Sequence, residues 1–237
     1  MEPNGQNPYP PKSRPAWGDI TPTHSLEHAP WAHGQPDPAI ATGGPGRPWP
    51  DGEVAVIHRD SKRGIGSAHK AGFQYAMDRG YQYVMTMDAD CSHSPEYLRP
   101  MRELAASADL VIGSRYVQGG GFDRLGLHRL LLTKTVHWLT TSLLGLPYDC
   151  TGGLRLYRVA VLRTIDLRQI PSDGHALLFE LVYRITQRGG TIAEYPIVIH
   201  PRHAGSSKVS LSELLRAARS LVRLSLRRMC SRTVSGA

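Results

Sequence analysis

From residue 52 to about residue 200, short apolar runs alternate with stretches whose apolar residues recur every three or four positions. Val54-Ala55-Val56-Ile57-His58 reads as a buried strand. Ile65 to Arg79 carries Ala68, Ala71, Gly72, Tyr75 and Ala76 on one stripe, which predicts a helix. Tyr81 to Met87 is the next strand, and Pro95 opens a helix running to about Ser107, because proline is favoured in a first turn. Asp109 to Gly113 is a third strand. Arg124 to Leu144 predicts a long helix, and Gly152 to Tyr157 a short strand feeding a helix from Val159. His175 to Arg188 is a helix stopped by Gly189-Gly190. Thr191 to Ile199 alternates as a strand, and Pro196, which lacks a ladder donor, puts it at an edge. Ser210 to Met229 is a last helix. This alternation predicts an α/β fold, Rossmann-like, with a mostly parallel sheet and flanking helices. Ligands of such sheets bind beyond the carboxyl ends of the strands.

The first 50 residues break the pattern. They hold twelve of the 18 prolines and three of the four tryptophans, with no sustained apolar period. Proline at this density opposes helix and central strand alike. The expected organisation is a disordered segment over 1–51, one domain over 52–209, and a basic amphipathic helix and tail over 210–237. The start lacks the basic-then-apolar order of a secretory signal. No run of 18 apolar residues predicts a transmembrane helix. Cys91, Cys150 and Cys230 are odd in number and far apart, which fits no disulfide framework or metal motif and suits the reducing cytoplasm.

The net charge of +8 is unevenly placed. Arg202 to Arg232 holds eight Lys and Arg against Glu213 alone, a net of +7. A local basic segment implies an anionic partner for that segment. No nucleic-acid motif accompanies it, so nucleic acid is not expected. In the last helix Arg216, Arg219, Arg223 and Arg227 form one stripe, and Leu214, Leu215, Ala218, Leu221, Val222 and Met229 lie on another face. That suits an anionic membrane surface, and it equally suits a core-packed helix with a solvated arginine face.

The candidate chemistry lies where the Tyr81 to Met87 run ends in Asp88-Ala89-Asp90. Residues i and i+2 of an extended chain point the same way, so both carboxylates can meet one hard cation, Mg²⁺ or Mn²⁺. Alone, Asp-x-Asp is more often a solvated turn. Four further blocks change that weighting. They are Lys62-Arg63-Gly64-Ile65-Gly66-Ser67-Ala68, Gly113-Ser114-Arg115-Tyr116-Val117-Gln118-Gly119-Gly120, Asp149-Cys150-Thr151-Gly152-Gly153-Leu154-Arg155-Leu156-Tyr157-Arg158 and Arg202-His203-Ala204-Gly205-Ser206-Ser207-Lys208. With Asp88 to Pro95 they resemble, in order, the polyprenol- and dolichol-phosphate mannose synthases, family 2 glycosyltransferases of GT-A fold. The resemblance runs from about Val54 to Ser210.

The resemblance implies an inverting transfer of mannose from GDP-mannose to a polyprenyl phosphate, at the cytoplasmic face of a membrane to which the protein is peripherally bound. A membrane partner protein is among its expected partners. It implies Asp88 and Asp90 as metal ligands, with Ser92 or His93 as weak ligands or supports. It implies Arg115 and Arg202 at the reacting phosphates, with Arg129 and Lys208 beside them, and Lys62, Gly64, Gly66 and Ala89 on the donor side. Asp149, Thr151 and Gly152 fall in a matching block, and Glu180 falls where the family has an acidic residue facing the sugar. Replacing Arg115 or Arg202 by alanine is expected to lower turnover with lesser effects on folding. The acceptor phosphate is already anionic, so none of the 11 histidines is needed as a base.

The family's first strand and its nucleoside-holding second strand are not recognisable before Val54. A gene-start error or a frameshift would account for that, and the chain as written is expected to bind nucleotides weakly and without selectivity and to show little or no transferase activity. Two alternatives stand beside the mannose reading: an inactive or regulatory remnant, and a transferase using a UDP-sugar.

Overall fold

The computed structural model describes residues 57–59, 61, 63–90, 92–124, 126–172, 174–200 and 211–235. The chain divides into Met1–Val56 and Ile57–Ala237, and the description below concerns the second unit. The expected disordered segment, and Val54 to Val56 of the first expected strand, lie outside the described residues. Ile57 to Arg59 form no strand, which corrects the end of that element.

The order of elements is α1 (Ile65–Asp78), β1 (Tyr83–Thr86), a 3₁₀ turn (Pro95–Tyr97) leading into α2 (Leu98–Leu104), β2 (Leu110–Ser114), β3 (Gly121–Phe122) and α3 (Leu127–Leu144). There follow β4 (Arg155–Arg158), α4 (Val159–Arg163), a 3₁₀ turn (Leu167–Gln169), α5 (Ala176–Gln187), β5 (Ile192–Pro196), β6 (Val198–Ile199) and α6 (Leu211–Ser235). Pro95 stands where expected, with Ser94 Oγ accepting from the Glu96 N–H to cap the turn. Gly189, at φ 72°, ends α5 in the left-handed region that glycine favours.

The main sheet has the order β1-β4-β2-β5. Its strands β1, β2 and β5 run one way, and β4 runs against them between β1 and β2. Two of its three ladders are therefore antiparallel, and the sheet is mixed rather than mostly parallel. Apolar periodicity measures burial and carries no information on strand direction. Pro196 ends β5, which is an edge strand as expected, and the expected single strand over 191–199 divides at Ile197 into β5 and β6. The two-residue β6 pairs with β3 in a separate parallel ribbon.

The fully buried strand β2 feeds both faces of the sheet. Leu110 and Ile112 join Phe73, Tyr157, Leu162, Leu177 and Leu224 on one side. Val111 joins Met101, Leu156 and Ile197 on the other. Side chains that alternate across a strand produce this division. Helix α6 belongs to the first layer, with Leu221 and Leu224 buried. Among the described residues no helix is long and apolar enough to cross a membrane.

Candidate functional site

Strand β1 points its carboxyl end at the candidate site. Thr86 Oγ1 donates to Gly153 O at 2.7 Å, which ties the end of β1 to the start of β4. Asp88 lies against that same segment. A Cβ on Gly153 would fall 2.7 Å from Asp88 Oδ1, so only glycine leaves room for the carboxylate there. Asp90 is oriented by the next turn: its Oδ1 accepts from the Ser92 N–H at 3.1 Å and from Ser92 Oγ at 2.6 Å. His93 folds back on the first carboxylate's backbone, its Nδ1 accepting from the Asp88 N–H at 3.3 Å. Ser92 and His93 are each 4% exposed, and Ser92 O accepts from the His200 N–H. Ala89 sits exposed between the two carboxylates.

Arg115 follows β2 and closes the other side. Its Nε donates to Asp149 Oδ2 at 2.7 Å, and its Nη2 donates to Asp149 Oδ1 at 2.6 Å and to Thr151 Oγ1 at 2.5 Å. The guanidinium also lies 5.5 Å and 5.2 Å from the ring centres of Tyr116 and Phe122. Asp149 further accepts from the backbone N–H groups of Arg115, Thr151 and Gly152, so one carboxylate organises the whole loop. Its own N–H donates to Glu194 on β5.

The electrostatics agree with this closeness. Burial opposes ionisation of Asp149, but the hydrogen bonds and charge of Arg115 outweigh it and hold the carboxyl below its ordinary range. Burial lowers the pKa of His93 more than the nearby carboxylates Asp88 and Asp90 raise it. Burial likewise lowers His69, on which Arg155 and Asp88 also act. Burial pushes the Tyr116 hydroxyl to about 12 and the Cys150 thiol to about 12, so neither is a nucleophile at neutral pH.

A hard divalent cation suits these residues. Among the described residues no group of three or more His, Cys, Asp or Glu stands ready to enclose a metal. Two carboxylates just past a strand end, with Asp88 in a cradle that a Cβ would fill, would instead offer a site open on one side. Mg²⁺ is commonly held that way, by one or two carboxylates with substrate phosphates and water completing the shell. Asp88 and Asp90 would be the ligands.

Asp88, Asp90, Ser92, His93 and Arg115 thus lie close together. Gly64 caps α1 at φ 95°, a conformation that side chains rarely adopt, and Gly66 is buried in the first turn. Arg129 is exposed in the first turn of α3. Lys62, Arg202 and Lys208 lie outside the described residues. Glu180, expected to face the sugar, is fully buried. It accepts from Arg184 at 2.9 Å, Arg223 at 2.7 Å and Ser172 Oγ at 3.0 Å, between α5 and α6. Helix α5 is apolar nearly all round, and a carboxylate sunk in it must be paired. Sequence reasoning also missed the roles of Asp149 and Gly153. Each stood inside a matching block, but neither signalled its partner.

Residues 47–166 match the model of glycosyl transferase family 2. The chain belongs to glycosyl transferase family 2. This glycosyltransferase-family chain is 43% identical over 166 residues to the polyprenol monophosphomannose synthase of Mycolicibacterium smegmatis, covering 69% of itself and 63% of that protein. It is 40% identical over 161 residues to the undecaprenyl-phosphate mannosyltransferase of Micrococcus luteus, covering 68% of itself and 66% of that protein. It therefore spans somewhat less than two thirds of each relative's length. Among solved structures it is similar to glucosyl-3-phosphoglycerate synthase from Mycobacterium tuberculosis in complex with Mn²⁺, UDP-glucose and phosphoglyceric acid. The TM-score there is 0.47 at 17% identity, over 73% of this chain and 56% of that one.

Proposed function

We propose that this family 2 glycosyltransferase moves mannose from GDP-mannose to a polyprenyl phosphate, with inversion, using Mg²⁺ or Mn²⁺ held by Asp88 and Asp90. The observation that carries the reading is the carboxylate pair at the end of β1, braced by Ser92 and His93 and faced by Arg115. The two mannosyltransferase relatives support the sugar and the lipid phosphate. GDP as the leaving group rests on the family resemblance.

A cation at this place supplies charge neutralisation to a diphosphate leaving group. The chain's own residues do the rest. Asp88 and Asp90 would hold the cation, and Ser92 fixes the Asp90 carboxylate through a 2.6 Å hydrogen bond. Arg115 offers an anion its charge rather than its two-point fork, which Asp149 occupies. The acceptor phosphate needs no base. One of its oxygens forms a bond to the anomeric carbon while the bond from that carbon to the diphosphate oxygen breaks on the opposite face. On the same reading Lys62, Gly64, Gly66 and Ala89 attend the donor, and Arg129, Arg202 and Lys208 attend phosphate.

A lipid-linked acceptor is reached from a membrane surface. Of the thirteen exposed large apolar side chains among the described residues, ten lie on α3 and α6. They include Leu127, Leu131 and Trp138 on α3, and Leu215, Val222 and Leu226 on α6. Arg219 and Arg227 are exposed beside the α6 row. An apolar face flanked by arginine suits the cytoplasmic face of an anionic bilayer, with the protein bound peripherally.

The test incubates the full chain with labelled GDP-mannose or UDP-glucose, Mg²⁺, and polyprenyl phosphate in anionic vesicles. Label entering the lipid from GDP-mannose alone is the expected result. Label from UDP-glucose alone, or from neither donor, overturns the reading.

A further inference from the structure

The Asp88 to His93 turn carries an inference about a residue whose role the sequence leaves open between cation ligand and support. The His93 ring is 4% exposed and is fixed among charged groups: Asp88, Asp90 and Arg115 all act on it. Its Nδ1 accepts a hydrogen bond from the Asp88 N–H at 3.3 Å. A ring nitrogen that accepts carries no proton, so the imidazole is neutral with its hydrogen on Nε2. That Nε2 is buried and has no hydrogen-bond partner.

A cation ligand must present a lone pair to the ion. A neutral imidazole has one in-plane lone pair, and here it faces the Asp88 N–H. Nε2 presents a hydrogen. Ligation at Nε2 would require the proton on Nδ1, where it would meet the Asp88 N–H head on, donor against donor.

The ring instead closes the turn from residue 93 back to residue 88. Ser92 fixes the second carboxylate from the same turn, through its N–H and its hydroxyl on Asp90 Oδ1. One residue therefore sets Asp90 and its neighbour sets the backbone of Asp88. We propose that His93 is a positioning residue: its Nε2-protonated ring sets the Asp88 backbone, and so the spacing of the carboxylate pair, without ligating the cation. This rests on the cation site of the proposed function and goes beyond it, since it fixes the tautomer and separates ligand from support.

Two measurements on the full chain test it. In the first, nitrogen NMR of histidine-labelled protein identifies His93 by the signal missing in His93→Asn. The expected pattern is a neutral ring protonated at Nε2, unchanged by saturating Mg²⁺. A ring protonated at Nδ1, or an Nε2 signal that moves to that of an unprotonated, ligating nitrogen on adding Mg²⁺, overturns the proposal. In the second, Mn²⁺ binding is read from the free-ion electron paramagnetic resonance signal. His93→Ala should weaken it roughly tenfold, the lower end for loss of a group that orients a ligand. His93→Asn, whose carboxamide oxygen can accept from the Asp88 N–H, should stay near wild type. Unchanged Mn²⁺ affinity in His93→Ala, or equal losses in Ala and Asn variants that are both folded by circular dichroism, overturns the positioning role. If wild type binds no Mn²⁺, the cation site and the positioning role fall together, while the NMR result on the tautomer stands. Lack of sugar transfer with Mn²⁺ binding intact overturns the proposed function alone.

Discussion

Arg115 and Asp149 meet through two parallel hydrogen bonds, 2.7 and 2.6 Å long, with side chains 9% and 0% exposed. They stand 34 residues apart in sequence and join the end of β2 to the loop before β4. A buried pair of this geometry is costly to break from one side, because the remaining charge is left in a dry place. Arg115→Ala and Asp149→Ala should each destabilise the fold by about 3–5 kcal/mol. The double variant should lose less than the sum. Urea unfolding of the four proteins checks this, and additive losses would show that the two residues do not act as a pair. The result also bears on any activity assay. On the proposed function, Arg115→Ala should then affect folding as well as turnover, because the buried fork with Asp149 is lost.

The same pair predicts an acid limit. Against the pull of burial, Arg115 holds the folded pKa of Asp149 below its unfolded value of about 3.9. A group depressed on folding contributes stability that is fully present above the unfolded pKa. That contribution is lost as pH falls through the folded pKa. Thermal midpoints measured from pH 7 downward should therefore hold in wild type to about pH 4 and then fall. Asp149→Asn should start lower and show a shallower acid decline. Equal slopes below about pH 4 would assign the acid limit to other carboxylates.

What could be read from the sequence follows from how each feature is encoded. Asp88 and Asp90 stand two residues apart just past β1, so their closeness in space is a local property and was visible. The bounds of α5 were visible because its apolar run ends at Gly189-Gly190. The direction of β4 was not, since burial does not distinguish parallel from antiparallel neighbours. β3 and β6 are two residues each, too short for any period. The Arg115–Asp149 fork and the Glu180–Arg223 pair join residues 34 and 43 positions apart. Only the folded chain brings those together.

Glu180 makes the third prediction. Its carboxylate pairs with Arg184 and Arg223, and Ser172 bridges it to Ser220 Oγ at 3.1 Å. This polar cluster holds the middle of α6 on α5, beside the apolar contacts of Leu221 and Leu224. Glu180→Ala leaves two arginines without their carboxylate. Arg223 is a third exposed and can turn to water, so the loss should lie near the lower end for a broken buried pair, about 3 kcal/mol. Amide hydrogen exchange should rise across 211–235 before it rises in β2. Exchange rising equally in both would mean that α6 and the sheet open as one unit.

Asp90→Ala should abolish sugar transfer and weaken Mn²⁺-dependent donor binding, because a two-carboxylate site cannot lose one member. Ser92→Ala leaves the carboxylate but removes the 2.6 Å hydrogen bond that orients it. It should weaken Mn²⁺ binding by about tenfold, as loss of an orienting partner does. Calorimetry with Mn²⁺, with and without GDP, measures both. Wild-type binding in Asp90→Ala would remove it from the cation site.

The membrane surface gives the last prediction. Deleting α6 would be a direct test only if the domain kept its fold without that helix. The structure argues against it: the deletion takes away the buried Leu221 and Leu224 and strips Glu180 of Arg223, so the domain would unfold whether or not it binds lipid. Exposed positions separate the two effects. Trp138 is 64% exposed, Leu131 57% and Leu226 54%, so changing each to serine removes little from the core. Vesicle sedimentation should show the triple variant binding anionic vesicles at least tenfold more weakly than wild type, since each buried apolar side chain is worth about 1.5–3 kcal/mol. Arg219→Gln with Arg227→Gln should act differently. It should remove the preference for anionic over neutral vesicles and flatten the salt dependence, because exposed charges are screened beyond about 8 Å at physiological ionic strength. If the serine variant binds as wild type does, the apolar rows of α3 and α6 do not meet lipid. Some other surface would then have to bring the protein to a polyprenyl phosphate.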